Sequence, residues 1–133
     1  TPEGAARTTP TPTVFIVPTS LPQNDYEIAN IPTFCSVQTP GVLEVQVVDF
    51  NGQGIPGQIV RVRWDGGESI FATGLKPERG PGFADFVMEP GLSYLVDMPG
   101  LSDPSQPLTA TSCALEDGAR AIISFRVVFR PAG

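Results

Sequence analysis

Histidine is absent from this chain. That one absence removes Ser-His-Asp and Cys-His catalysis, and it removes imidazole-ligated zinc, iron and copper sites. Lysine is nearly absent too, occurring only as Lys76, and the eight basic residues face fourteen acidic ones for a net charge of −6. A chain so poor in cations neutralises few phosphates, so neither nucleic acid nor an anionic membrane surface is an expected partner. Runs such as Val14–Val17 are strand-sized, far short of what spans a bilayer, so membrane insertion is not expected. No stretch keeps helical spacing over ten residues. No catalytic constellation stands out, and the chain is not expected to be an enzyme or to carry a cofactor.

Proline and glycine, in contrast, are plentiful. The fifteen prolines and fourteen glycines make up about a fifth of the chain, which favours short strands joined by tight turns. With 41% apolar residues, a chain of this length buries roughly two-thirds of the surface its unfolded form exposes. Residues 1–13 hold five threonines and three prolines and no large apolar side chain. They are expected to form a Pro/Thr-rich linker, or a terminal tail without a role, ahead of one domain over 14–133.

The strongest signal is period-two alternation. Leu43, Val45 and Val47 alternate with Glu44 and Gln46; after a turn-rich loop, Val60, Val62 and Trp64 alternate with Arg61 and Arg63. Further strands are expected over 68–73, 83–88 (Ala84, Phe86 and Met88 inward), 92–98 (Leu92, Tyr94, Val96 and Met98 inward) and, more weakly, 108–113. The closing strand over 119–130 carries Ala121, Ile123, Phe125, Val127 and Phe129 on one face and Ser124, Arg126 and Arg130 on the other, a length that suits the middle of a sheet. A first strand, packed along an edge, is expected over 14–17, and residues 18–32 read as a loop that Tyr26 and Ile28 dock to the core. Seven to eight strands spaced by turn signals describe an all-β, two-sheet antiparallel sandwich.

Cys35 and Cys113 each stand at the edge of an expected strand, far apart in sequence. They form either a disulfide or two buried thiols. Beside the Pro/Thr-rich start the disulfide is favoured, and with it an extracellular or cell-surface location.

Several patterns have two readings. Gly52-Gln53-Gly54-Ile55-Pro56-Gly57 matches the letters of a dinucleotide-binding loop, but a strand and not a helix follows it, so a glycine-rich hairpin loop is expected. Asp49, Asn51 and Gln53 have the spacing of a Ca²⁺ loop, yet Val60 stands where the bidentate acid belongs; Asp49 and Asn51 are weak calcium candidates against an ordinary Asx turn. The carboxylates Asp65, Glu68, Asp85 and Glu89 are expected on solvated strand faces and ends. Trp64, Phe71 and Tyr94 suit a sugar-stacking platform, although the parity of Trp64 with Val60 and Val62 favours the core. The loop 74–82, with Lys76, Glu78 and Arg79 between paired turn residues, is the candidate partner contact against a plain connector.

The stretch Val-Gln-Val-Val-Asp-Phe-Asn-Gly-Gln-Gly-Ile-Pro-Gly-Gln-Ile-Val-Arg-Val at 45–62, with Gly-Phe-Ala-Asp-Phe-Val at 82–87 and Pro-Gly-Leu-Ser-Tyr-Leu-Val at 90–96, resembles bacterial surface Ig-like modules. It is most similar to the prealbumin-like group, the carboxypeptidase regulatory-like and Cna-B-type domains. That resemblance implies an Ig-like (prealbumin-like) sandwich that acts as a spacer or adhesion element of a larger surface or secreted protein, with an accessory carbohydrate- or cell-wall-binding module as the alternative. Expected partners are neighbouring domains of the parent chain, a polysaccharide or a surface protein. Many Cna-B-type domains carry a Lys–Asn isopeptide bond. Here the only lysine sits in a Gly/Pro loop, so the bond is not expected and a disulfide takes its place.

Overall fold

The structure is a computed structural model that describes residues 24–133. The expected linker over 1–13 and first strand over 14–17 lie outside the described residues.

The domain is all-β, with ten strands among the described residues: β1 (Tyr26–Asn30), β2 (Thr33–Cys35), β3 (Val42–Val47), β4 (Ile59–Trp64), β5 (Gly67–Ala72), β6 (Phe83–Val87), β7 (Ser93–Asp97), β8 (Leu108–Thr109), β9 (Ser112–Ala114) and β10 (Arg120–Pro131). Two open sheets face each other. The first has six strands in the order β9-β10-β3-β6, with β1 and β2 also paired to β10; the second has four, β5-β4-β7-β8. All pairings are antiparallel except β10 with β3, which run parallel from Phe125↔Leu43 to Phe129↔Val47. The long strand β10 is the spine of the first sheet, as its alternation predicts.

Core and pattern agree. Leu43, Val45, Val47, Val60, Val62, Val96, Met98, Val127 and Phe129 are all fully buried between the sheets. Tyr94 is buried with them because its hydroxyl oxygen accepts a hydrogen bond from the Glu89 backbone N–H at 2.7 Å. Burying a phenol without such a partner costs about 1–3 kcal/mol.

Three expectations change. Residues 26–30, read as loop, form β1, an edge strand held by Arg130↔Glu27 and Pro131↔Tyr26. The single weak strand over 108–113 is two short ones in different sheets: Leu108 pairs with Tyr94 in the second, Cys113 with Ala121 in the first. The chain crosses the sandwich at Ala110. Ser124, placed on the solvent face, is fully buried. Its hydroxyl donates to the Thr39 carbonyl and accepts from the Val42 N–H, which fixes the loop that carries the chain over β10 from β2 to β3.

The strands define two poles. At the first pole the Ala132 N–H donates to the Asp25 carbonyl at 2.9 Å and the Tyr26 N–H to the Leu101 carbonyl at 2.8 Å. The first described strand therefore begins, and the last ends, side by side. The turns at 65–66, 88–92 and 115–119 and the Cys35–Cys113 disulfide lie toward the opposite pole. The disulfide, with a Cα–Cα distance of 6.0 Å, staples β2 to β9 next to their adjoining places on β10.

Candidate functional site

Two carboxylates that alternation turns away from the core are nevertheless buried, one on each outer face. Glu44 of β3 is 4% exposed. Arg126 of β10 donates from Nε to its Oε1 at 2.9 Å, and Arg79 donates from Nη2 to its Oε2 at 3.0 Å. Arg126 also lies over the Phe34 ring, and Arg79 over Phe83. Asp97 of β7 is the counterpart in the second sheet. Arg61 grips it with two hydrogen bonds, Nε–Oδ1 at 3.0 Å and Nη2–Oδ2 at 2.7 Å, while Arg63 Nη2 stands 3.6 Å from Oδ2. Planar guanidinium forks suit such bidentate contact. The hydrogen bond to Asp97 raises the Arg61 pKa above the ordinary arginine value, against a smaller opposing effect of desolvation, and the charges of Asp97 and Glu68 add to the rise.

The loop 74–82 reaches Glu44 because it folds back over the first sheet as a strap. Its short 3₁₀ turn, Pro77–Arg79, starts on a proline and ends at Gly80, whose φ of 112° suits glycine. The Gly74 N–H donates to the Phe83 carbonyl, and Lys76 Nζ bonds Asp85 Oδ2 at 2.9 Å. Of the three residues proposed from this loop for partner contact, Lys76 and Arg79 are thus engaged with their own sheet, and Glu78 points to solvent. Where the strap ends, Gly82 packs directly on backbone: a Cβ there would stand 2.2 Å from the Val47 carbonyl oxygen.

Trp64 and Tyr94 lie toward the far pole. Trp64 is half-buried and contacts Phe86 and Tyr94 at centroid distances of 5.5 and 5.6 Å, while Phe71 stacks on Phe86 at 6.3 Å. The aromatics close the gap between edge strands β5 and β6 and do not form an open platform. Shallow clefts of about 300 and 320 Å³ flank the indole. Asp49 sits in the β3–β4 loop, where one carboxylate oxygen accepts from the Asn51 and Gln53 N–H groups at 2.8 and 2.9 Å. This is the geometry of an Asx turn. No group of three or more acidic or cysteine side chains arranged for a metal occurs among the described residues.

Nothing in the sequence marks Glu44 or Asp97 as a buried acid. The outward parity of Arg61 and Arg63 was visible, but nothing local marks which acid they meet. A comparison of the chain with protein-family models, curated proteins and solved structures finds no match.

Proposed function

We propose that this chain is a non-catalytic, extracellular-type Ig-like module of a surface or secreted protein, and that it works by contact as an adhesion element. The observation that carries this reading is an exposed sheet edge: among the described residues β5 pairs only with β4, and Ile70 and Ile59 beside it are 57% and 47% exposed. A spacer needs no such surface, whereas an element that works by contact does. The Cys35–Cys113 disulfide is consistent with an oxidising, extracellular-type compartment. The buried acids support a structural rather than catalytic use, since each is already held by arginine.

The test is retention. Beads carrying the protein through a C-terminal tag are passed over immobilised glycans, matrix proteins and a layer of the protein itself. Retention on at least one surface, lost on heat denaturation, is the expected result. Retention on none would overturn the contact reading and return the module to the role of spacer.

A further inference from the structure

A sandwich with two open sheets has four lateral edges, and each exposed edge offers unpaired N–H and C=O groups to another strand. Three of the four are blunted. One edge of the first sheet is broken into β1, β2 and β9, none longer than five residues. Its other edge, β6, is covered at Phe83 by the strap and flanked by the Lys76–Asp85 ion pair. In the second sheet, β8 is two residues long and follows Pro107.

Among the described residues the fourth edge, β5, has none of these guards. It is six residues long and contains no proline or lysine. Its hydrogen-bond parity is fixed by the Thr73 N–H donating to Gln58 and the Gly57 N–H donating to Thr73. Thr73, Phe71 and Ser69 therefore address β4, and Glu68, Ile70 and Ala72 turn their backbone groups outward. No described residue pairs with them. At the centre of this edge Ile70 is 57% exposed, and on the same face Ile59 of β4, its diagonal neighbour, is 47% exposed.

We infer that β5 is a self-pairing edge: two copies of this chain join antiparallel, β5 to β5, about a two-fold axis at Ile70. An isologous contact must be self-complementary, and this register is. Ile70 meets Ile70, and Glu68 meets Ala72 on both sides of the axis. About six main-chain hydrogen bonds form, and no like charges stand opposite each other. The product is a continuous eight-stranded sheet. Antiparallel pairing also inverts one copy relative to the other, so the poles that hold Asp25 and Ala132 point in opposite directions. The contact is small, as befits a transient interface, and the net charge of −6 on each chain opposes it at long range. Added salt therefore strengthens it.

Sedimentation equilibrium of the full chain over a concentration series tests the inference. The expected result is a reversible dimer whose Kd falls as salt rises. Ile70→Lys, at an exposed side chain, weakens it about tenfold or more. Ile70→Pro, which removes only an outward-facing N–H, does the same. Val87→Lys, on the strapped edge, leaves Kd unchanged. Hydrogen exchange at the Ile70 amide slows as the dimer forms. A monomer at every concentration, a dimer indifferent to both Ile70 variants, or an Ile70 amide already protected in the dilute monomer (another part of the chain then covering the edge) would each overturn it. Bead retention on a foreign surface without self-association would overturn the pairing alone and leave the adhesion reading standing.

Discussion

The first sheet gathers its strands from residue 26 to residue 131, whereas the second takes all four of its strands from 59 to 109. The contrast extends to how each holds its buried acid. Arg61 and Arg63 reach Asp97 from the adjacent strand β4, in register with it at Arg61↔Asp97. Glu44 also takes one arginine from a neighbouring strand in register, Arg126↔Glu44, but across 82 residues, and its second comes from the strap, 35 residues away against 36 between Arg61 and Asp97. The first sheet is thus held by ties between distant residues, the disulfide and the parallel pairing of β10 with β3. The second draws its strands from a shorter stretch of chain, interrupted by β6, and among the described residues has an open side. Long-range closure costs more chain entropy, and the covalent tie is found in the sheet that needs more closure.

The largest effect that would sharpen this contrast comes from the disulfide. Replacing both Cys35 and Cys113 by serine removes a constraint worth about 4 kcal/mol in the chain-entropy model. Denaturant unfolding reads the loss. Hydrogen exchange should show β2 and β9 losing protection while β4, β5 and β7 keep theirs. A uniform loss would break the comparison.

Next come the acids. Glu44→Ala and Asp97→Ala each leave two partly exposed arginines without their carboxylate, and each should cost about 2 kcal/mol in lost charged hydrogen bonds. The arginines then separate the sheets. Arg61→Gln removes a bidentate contact and should destabilise more than Arg79→Gln, whose single bond is shared at Glu44 with Arg126; paired thermal melts check the order.

Gly82→Ala forces backbone apart where the strap rejoins β6, and overpacking of this kind costs about 1–3 kcal/mol. Gly91→Ala is its control. Gly91, unlike Gly82, has positive φ but meets no neighbour, so only the conformational penalty of about 1 kcal/mol applies.

The smallest effect is one of pH. Folding raises the pKa of Arg61, so its contribution is complete at every pH below the ordinary arginine value and is lost only as pH climbs through the folded value. The stability difference between the native protein and Arg61→Gln should stay constant from about pH 6 to about pH 9, measured by urea unfolding at each pH. A difference that faded within that window would contradict the direction of the shift.

Particular elements show how far the sequence could be read. Strands β3, β4, β7 and β10 were legible because half of each strand faces the core, and a two-residue period leaves no other way to bury those side chains. β1 was missed because Tyr26-Glu27-Ile28-Ala29-Asn30 offers only two large apolar positions and depends on β10, a hundred residues away, for its pairing. The candidate site was less legible still. Alternation turns Glu44 outward, and outward reads as wet; only the strap and Arg126 make that position dry. Trp64 shares the inward parity of Val62, yet at the last position of β4 it closes the mouth between the sheets rather than filling the middle.

The order of apolar and polar residues by itself determined an all-β sandwich, the membership of its core and the two cysteines as candidates for a cross-link, because those follow from local periodicity and composition. Which acid meets which arginine, which edge is covered and which is left open among the described residues, and that Asp25 and Ala132 lie side by side were decided by tertiary structure. These are matters of distance between residues far apart in the chain, and a local pattern carries no record of such distances.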